Sequence, residues 1–330
     1  MIYISNFHIH MKYTTIYSFA IFLMLTVGCQ DYLKSDERKV EGTQIESSDY
    51  KKSYEPANKS ELSYNLPQFS GQAEISTYDL SRARYNNVHP GEAVLIFVTE
   101  PFLPNTQVKS DAGGTSKSVK VLKMNKIDRF STGVYDYSMY TSVFTPIEKY
   151  DPLFPLKVSF SSQDWCGQIF TQLNNSEGYK YSQYSYFQNE GDSMMNQDYA
   201  LPEENLFNIA RIDTALLPKG EFGIFPAQSY MRTAHVDFKI YNANASIGFK
   251  DQLIVYSYEI PELRRSVRLF LDPKEKMKIV KWTETYPTVF DNKMRTSTYT
   301  LKSSFSKPYW NLNRLGDTHL RDSLNVMRYD

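Results

Sequence analysis

The amino-acid sequence predicts a mainly β fold with minor α content: a large curved antiparallel sheet or open barrel, with one or two helices packed against it. From about Phe69 onward, apolar residues recur with a period of two residues. The chain contains 26 Tyr and 20 Phe but only 14 Gly, and aromatic residues are enriched in strands. Turn residues separate the alternating segments at intervals of roughly 10–20 residues, which favours antiparallel strands over βαβ units.

The first element in the chain is a predicted signal peptide, residues 1–28. Residues 16–27 form an apolar run that is too short to cross a membrane, which takes about 20 residues, but has the length of a signal-peptide core. The ending LTVGC, which closes on Cys29, resembles the lipobox of bacterial lipoproteins, in which the cysteine is lipidated after cleavage. We therefore expect lipid attachment at Cys29, with Met1 or Met11 as the start. An ordinary secretory signal or a short buried helix is the alternative.

Residues 29–68 are predicted to contain the lipidated cysteine and a flexible tether. This segment is polar, mixed in charge and rich in Ser, a composition typical of linkers. Its acidic residues Asp31, Asp36 and Glu37 resemble signals that direct some Bacteroidetes lipoproteins to the cell surface. We expect the protein in the cell envelope, anchored by lipid at the outer membrane, on its periplasmic face or on the cell surface.

Residues 69–330 are predicted to form a single β-rich domain. Residues 93–99 are a continuous apolar run bounded by proline-containing turns, which is typical of a buried strand. Residues 134–144 alternate between aromatic or apolar and polar side chains, as a half-buried strand does. Further strands are predicted at residues 156–160, 166–171, 180–188, 230–241, 252–258, 267–271, 277–286 and 295–303.

Two helices are predicted within this domain. The sequence Pro202-Glu203-Glu204 is typical of a helix start, because proline suits the first turn and acidic residues lie near the positive end of the helix dipole. Asp317 is the expected cap of a second helix, in which Leu320 and Leu324 lie one turn apart. The expected buried stripe of the first helix consists of Leu206, Phe207, Ile209 and Ala210.

The charge balance excludes one class of partner. The chain has 37 basic and 37 acidic residues and a formal net charge of zero. Proteins that bind nucleic acid usually present clustered positive charge, so no nucleic acid is expected as a partner. Asp79, Arg82 and Arg84 lie in one segment and would suit an anionic ligand, but charged outer faces of strands are far more common, and this is the interpretation we favour.

Cysteine and histidine residues indicate neither a metal site nor a cofactor. His89, His235 and His319 are isolated, and metal-binding spacings such as CxxC are missing from the sequence. The motif DWCG around Cys166 resembles the first half of a thioredoxin-type WCxxC site, but Ile169 replaces the second cysteine, which excludes dithiol exchange. We interpret Cys166 as a buried structural thiol in a strand. A cysteine nucleophile with His89 or His235 as its base is the alternative.

The candidate binding residues lie in one aromatic stretch. Exposed aromatic rings can serve as a stacking platform for a glycan. The rings occupy both odd and even positions, however, which favours ordinary packing between strands. The candidate residues are Tyr179, Tyr181, Tyr184 and Tyr186, followed by Phe187.

Several stretches resemble a Bacteroidetes lipoprotein family of unknown function. They are GQAEISTY at 71–78, ARY at 83–85, GEAVLIFVTEPFLP at 91–104, QDWCGQIFTQLN at 163–174 and KWTET at 281–285. Members of this family are often labelled "septum formation inhibitor Maf". Genuine Maf proteins are cytoplasmic α/β nucleotide pyrophosphatases with a Ser-rich strand–turn–helix signature, and no such turn occurs here. The resemblance therefore implies an exported lipoprotein without Maf pyrophosphatase activity, and it assigns no catalytic residue.

The sequence predicts a membrane-anchored envelope lipoprotein, non-enzymatic, that binds an apolar or amphiphilic ligand or a protein partner on a β-sheet surface. The alternatives are an envelope hydrolase and a glycan-binding surface lipoprotein. The expected sheet resembles the half-barrel of periplasmic lipoprotein carriers in architecture only. A deep apolar groove, a polar cleft with paired acids and a flat aromatic surface would distinguish the three functions.

Overall fold

The computed structural model describes residues 66–326, so the predicted signal peptide, Cys29 and most of the predicted tether lie outside the described part of the chain. This part begins with a short 3-10 helix, Pro67–Phe69. The sixteen strands that follow, β1 to β16 in chain order, are Ala73–Arg84, Asn87–Leu103, Val108–Lys109, Val119–Thr132, Tyr135–Pro146, Lys157–Asp164, Gly167–Ser176, Gly178–Ser185, Ser193–Gln197, Leu201–Pro202, Gly220–Phe225, Tyr241–Lys250, Leu253–Ile260, Arg265–Asp272, Lys278–Pro287 and Met294–Lys307.

All sixteen strands belong to one open sheet, which confirms the predicted fold class. The strand order is β10-β11-β12-β13-β14-β15-β16-β1-β2-β4-β5-β6-β7-β8-β9, and β3 pairs only with β2. Neighbouring strands are antiparallel throughout, except for the short parallel pair β10–β11. Two long meanders, β4 to β9 and β11 to β16, are therefore joined through β1 and β2 at the centre of the sheet.

The sheet curls until its two edges come close together. The edge strands β9 and β10 are separated in the chain only by residues 198–200. Tyr179 of β8 and Phe225 of β11 pack edge to face, with ring centroids 5.9 Å apart. The two edges therefore meet through side chains, while the hydrogen-bonded ladder stays open. Curling is the expected behaviour of a twisted sheet with more than about ten strands.

Residues 66–326 contain three α-helices, α1 (Asn205–Ile212), α2 (Gln228–Ala234) and α3 (Leu320–Leu324), and the curled sheet encloses α1. Every residue of α1 is buried, as in a helix at the centre of a core. The Asn208 side-chain amide donates to the Leu122 carbonyl of β4 at 3.0 Å and to Thr145 Oγ1 of β5 at 2.6 Å. On the other side, the Phe207 ring packs edge to face on Trp282 of β15 at 5.3 Å. Strands from both meanders thus contact α1.

Most of the predicted elements are confirmed, and the exceptions have physical reasons. The strand predicted at 230–241 is wrong, because Gln228–Ala234 forms a helix that ends at His235 in the left-handed conformation (φ +52°). A helix of seven residues is too short for its period to be recognised. Asp317 does not cap α3; it ends a separate 3-10 helix, where its carboxylate accepts a hydrogen bond from the Arg314 N–H at 3.0 Å.

The predicted strand ranges also leave out most of β12 and six whole strands, β1, β3, β4, β9, β10 and β11. Inward-facing Lys126 and Asp128 interrupt the apolar alternation of β4, and both side chains are buried.

Among the described residues, no helix has the length and apolar character needed to cross a membrane.

Replacement of Leu206 by Ala tests whether α1 is part of the core. Leu206 is completely buried, so Leu206→Ala should lower the free energy of unfolding by about 2–5 kcal/mol through lost burial and a new cavity. Leu315→Ala is the matched control, because Leu315 is 91% exposed and its loss should change stability by no more than about 0.5 kcal/mol. Urea denaturation of both variants measures the difference, and equal effects would contradict the central position of α1.

Candidate functional site

An open depression of about 640 Å³ lies at the outer surface, where the β6–β7 hairpin meets β8 and the loop after it. It combines exposed aromatic rings with amide, hydroxyl and carboxylate groups. We call it the aromatic cleft. Its lining consists of Gln163, Asp164, Trp165, Cys166, Gly167, Gln168, Tyr184, Ser185, Tyr186 and Asp192.

The β6–β7 turn presents Trp165 to solvent. Asp164 and Gly167 form the last pair of the hairpin, and Asp164 Oδ1 accepts hydrogen bonds from the Cys166 N–H at 2.8 Å and the Gly167 N–H at 3.2 Å. This is the usual way in which an aspartate stabilises a tight turn. Trp165 therefore stands at the tip of the hairpin, where 68% of its surface is exposed.

Tyr186 lies directly against the backbone of the same hairpin. Its N–H donates to the Gln168 carbonyl at 3.2 Å. A Cβ atom at Gly167 would lie only 2.5 Å from Cδ1 of Tyr186, so the missing side chain makes room for this ring. Tyr186 nevertheless remains 74% exposed, with Tyr184 beside it at 46%. The three large rings of the cleft are therefore positioned by the local backbone and accessible to a ligand.

The loop after β8 is held in place by Glu190. Its carboxylate accepts hydrogen bonds from Arg232 Nη1 at 3.0 Å and from Ser185 Oγ at 2.9 Å, and it lies 3.2 Å from His235 Nδ1. Burial acts to raise the pKa of Glu190, but the hydrogen bond with His235 and the charge of Arg232 outweigh it and lower that pKa. Arg232 belongs to α2 and stacks on the Phe187 ring at 4.3 Å. Glu190 thus connects the wall of the cleft to α2.

The cleft has an acidic to neutral lining. Asp164 and Asp192 are its only charged lining residues, and no Lys or Arg is among the lining side chains. Asp164 Oδ2 also faces Arg232 Nη2 at 3.9 Å behind the surface. Within residues 66–326, no group of three or more His, Cys, Asp or Glu side chains is arranged to hold a metal ion. The acidic to neutral lining of the aromatic cleft disfavours phosphate and other anionic ligands.

The structure separates the four predicted tyrosines into two pairs. Tyr179 and Tyr181 point inward and are buried, whereas Tyr184 and Tyr186 point outward and line the aromatic cleft. This division follows from the alternation of side chains along β8. Trp165 was not predicted as a binding residue. The sequence signal for Trp165 was a large aromatic residue in the short turn between two strands, a position where the core does not cover a side chain.

The prediction of a buried Cys166 is wrong. Cys166 is exposed and belongs to the β6–β7 turn instead of a strand. Its side chain lines the aromatic cleft. Neither of the two histidines considered as a base for Cys166 lines the aromatic cleft. His89 lies in β2, and His235 contacts Glu190.

A second group of polar side chains is buried on the inner face of the sheet. The favoured interpretation of Arg82 and Arg84 as outer-face charges is wrong, because both are buried, whereas Asp79 is exposed. Arg82 occupies the same face of β1 as the buried residues Tyr78 and Leu80, so the period-two pattern contained this signal. We call this group the inner charge cluster; its members are Arg82, Lys126, Asp128, Glu203, Glu204, Arg265 and Glu284.

Oppositely charged groups alternate within the inner charge cluster. Lys126 Nζ lies 3.4 Å from both Asp128 Oδ2 and Glu284 Oε1. Arg265 Nη2 lies 3.2 Å from Glu284 Oε2 and also donates to Glu203. Burial acts to raise the pKa of Glu284, but the cations, with Lys126 first, hold it well below its usual range. Glu284 therefore remains ionised inside the protein.

Glu204 differs from Glu284, because the pKa of Glu204 is raised and that of Glu284 is lowered. Burial raises its pKa from 4.5 to about 7, although it accepts a hydrogen bond from the Gln228 N–H at 2.6 Å. The adjacent cavity, lined in part by Lys126 and Glu284, leaves only about 10 Å³ for the centre of a water-sized molecule. That is room for about one water molecule, so the inner charge cluster has no space for an organic ligand.

Fold and site together define a β-sheet protein with a filled interior and an exposed aromatic cleft on its outer face. No protein-family model, curated protein or solved structure matches the chain. The chemistry of the aromatic cleft and of the inner charge cluster therefore distinguishes between the candidate functions.

Replacement of Glu204 by Gln tests the raised pKa. Because the folded protein holds this proton more tightly than the unfolded chain, the stability from Glu204 is present below about pH 4.5 and is lost as the pH rises through about 7. Glu204→Gln should therefore stabilise the protein above pH 7, by on the order of 3 kcal/mol, and have little effect below pH 4.5. Urea denaturation across this pH range gives the comparison, with the exposed Glu221→Gln as control. A variant no more stable than wild type at alkaline pH would contradict the assignment.

Proposed function

We propose that this chain is an envelope lipoprotein that binds a glycan through the aromatic cleft and catalyses no reaction. The observation that carries the proposal is the set of three exposed rings, Trp165, Tyr184 and Tyr186, around an open cleft with amide and hydroxyl groups. Aromatic ring faces pack against the C–H faces of sugars, while amides and carboxylates form hydrogen bonds with sugar hydroxyls. Both kinds of group are present in the aromatic cleft.

Binding of an apolar ligand on the concave face of the sheet has less support. That hypothesis needs an open groove, and α1 occupies the enclosed space with all of its residues buried. The cavity beside the inner charge cluster leaves about 10 Å³ for the centre of a water-sized molecule. Binding of an organic ligand in this cavity would require α1 or α2 to move out of the core.

Catalysis in the aromatic cleft also has little support. Hydrolysis of a glycan ordinarily requires two carboxyl groups that are free to face the same bond. Asp164 is instead occupied by two backbone N–H groups of its turn, and Asp192 accepts a hydrogen bond from the Ser185 N–H at 3.0 Å. Both carboxylates hold the walls of the cleft, which favours binding over catalysis.

The envelope location is proposed from the amino-acid sequence. The apolar run at 16–27 and the lipobox-like ending at Cys29 support export and lipid attachment. A polar segment up to about residue 68 would carry the β domain away from the membrane. A glycan-binding surface is useful in this location, because the cell envelope and its surroundings are rich in polysaccharides.

Glycan binding is tested by removing the exposed rings. Trp165→Ala and Tyr186→Ala should each lower affinity for a neutral oligosaccharide roughly tenfold, which corresponds to about 1.4 kcal/mol. The probes are cellohexaose, laminarihexaose and maltohexaose, and isothermal titration calorimetry measures the dissociation constants. Phe249→Ala is the matched control, because Phe249 is 80% exposed but lies in the β12–β13 hairpin. Failure of the folded wild-type protein to bind any of the three probes, or an equal loss in the control, would reject this function.

Lipid attachment is tested by removing the acceptor thiol. The wild-type protein should fractionate with membranes, and its processing should be sensitive to globomycin. Cys29→Ala should appear in the soluble fraction, because the anchor supplies stable membrane attachment. Cys166→Ala is the control for loss of a cysteine elsewhere. Unchanged membrane fractionation of Cys29→Ala would contradict the lipoprotein assignment.

A further inference from the structure

We infer that the binding surface continues from the aromatic cleft across β8, β7, β6 and β5, and that its ligand is a linear, uncharged polysaccharide chain lying across these strands. The inference rests on the proposed function and specifies the ligand of the same site. It adds Phe170 and Tyr140 to the binding residues. Three independent features of the outer face carry it: strand register, composition and charge.

The strand register places four residues in one line. Tyr184 of β8 pairs with Phe170 of β7, Phe170 pairs with Ser161 of β6, and Ser161 pairs with Tyr140 of β5. We call these four residues the outer row. Tyr184, Phe170 and Tyr140 are 46%, 40% and 39% exposed. Because neighbouring strands lie about 4.8 Å apart, the row extends about 14 Å from Tyr184 to Tyr140. This length suits an oligosaccharide better than a single sugar.

The neighbours of the outer row are polar, and half of them are serine. Positions two residues away on the same strands share the outer face, because side chains alternate along a strand. Serine is the commonest of these neighbours, so the faces of the rings stay accessible between short side chains. Glutamine amides supply both donors and acceptors for sugar hydroxyls. The flanking residues are Ser138, Ser142, Ser159, Gln163, Gln168, Gln172, Ser182 and Tyr186.

The absence of charged side chains from the outer row and its flanking positions limits the class of ligand. Neither the outer row nor the flanking positions contain a charged side chain, and the adjoining aromatic cleft contains only the carboxylates of Asp164 and Asp192. An anionic polysaccharide or a nucleic acid would need compensating cations here. Serine is depleted from protein–protein interfaces, whereas four of the eight flanking positions of the outer row are serine. A neutral polyhydroxylated chain fits the surface best.

Two variants test the extension of the binding surface. Phe170→Ala and Tyr140→Ala should each weaken binding of the hexasaccharide roughly tenfold and weaken binding of the corresponding disaccharide less, because a disaccharide covers only part of the outer row. The disaccharides are cellobiose, laminaribiose and maltose. Phe170→Tyr should retain binding, because it keeps a ring at the same place. Phe270→Ala, an aromatic position on the outer face of β14, is the control, and thermal unfolding confirms that each variant is folded.

The charge argument is tested with a chemically matched polymer. Affinity electrophoresis compares the neutral glucan that binds with its carboxymethyl derivative, and retardation only by the neutral polymer is expected. Equal or stronger retardation by the carboxymethyl polymer would overturn the inference.

Three outcomes separate this inference from the function on which it rests. Weaker hexasaccharide binding by Phe170→Ala and Tyr140→Ala, with Trp165→Ala also impaired, supports both. Loss of binding in Trp165→Ala, but none in Phe170→Ala or Tyr140→Ala, together with equal affinities for disaccharide and hexasaccharide, overturns the outer row and leaves the aromatic cleft as the glycan site. Absence of glycan binding by the folded wild-type protein overturns both.

Discussion

The inner charge cluster is the constraint on which the rest of the structure depends. Arg265 of β14 donates to Glu203, which lies just before α1 in the chain. Glu284 of β15 forms ion pairs with both Arg265 and Lys126. Glu203 also accepts the Ala227 N–H at the start of α2, at 3.0 Å. Removing one partner from a buried ion pair costs about 3–5 kcal/mol, because the other charge stays buried. Movement of α1 out of the interior would therefore separate Glu203 from Arg265, and movement of α2 would remove the N–H groups whose hydrogen bonds Glu203 and Glu204 accept.

This constraint reaches the outer surface through α2. The Arg265 guanidinium stacks on the Tyr230 ring at 4.2 Å, and Tyr230 is a buried residue of α2. Two residues further along the same helix, Arg232 holds Glu190, which holds the loop beside the aromatic cleft. A continuous series of contacts thus links the buried charges to the exposed rings. The helices fill the inside of the curled sheet, and the exposed rings of the aromatic cleft lie on its outside.

The candidate site was partly predictable, because some of its features depend on neighbouring residues in the chain and others depend on contacts between separate strands. Alternation along β8 is local, and it already divided the tyrosines between two faces, with Tyr184 and Tyr186 on one of them. The exposure of Trp165 and Cys166 depends on where β6 turns into β7, and the pattern around Cys166 looked like an uninterrupted strand. The outer row depends on register between strands, since Phe170 meets Tyr184 and Tyr140 lies two strands away from Phe170. No local pattern contains that register.

The amino-acid sequence by itself determined the strand-rich class, most strand positions and the start of α1, because side-chain alternation and helix-start signals act over a few neighbouring residues. Only the tertiary structure decided that β1 pairs with β16, which are the first and last strands of residues 66–326, and that the open sheet curls around α1. Alternation along β1 already places Arg82 on the inner face, but only the tertiary structure supplies its charged partners Asp128 and Glu284, which come from distant strands. A charge in a strand is exposed by default, and it becomes part of a core only when distant segments bring compensating charges to it.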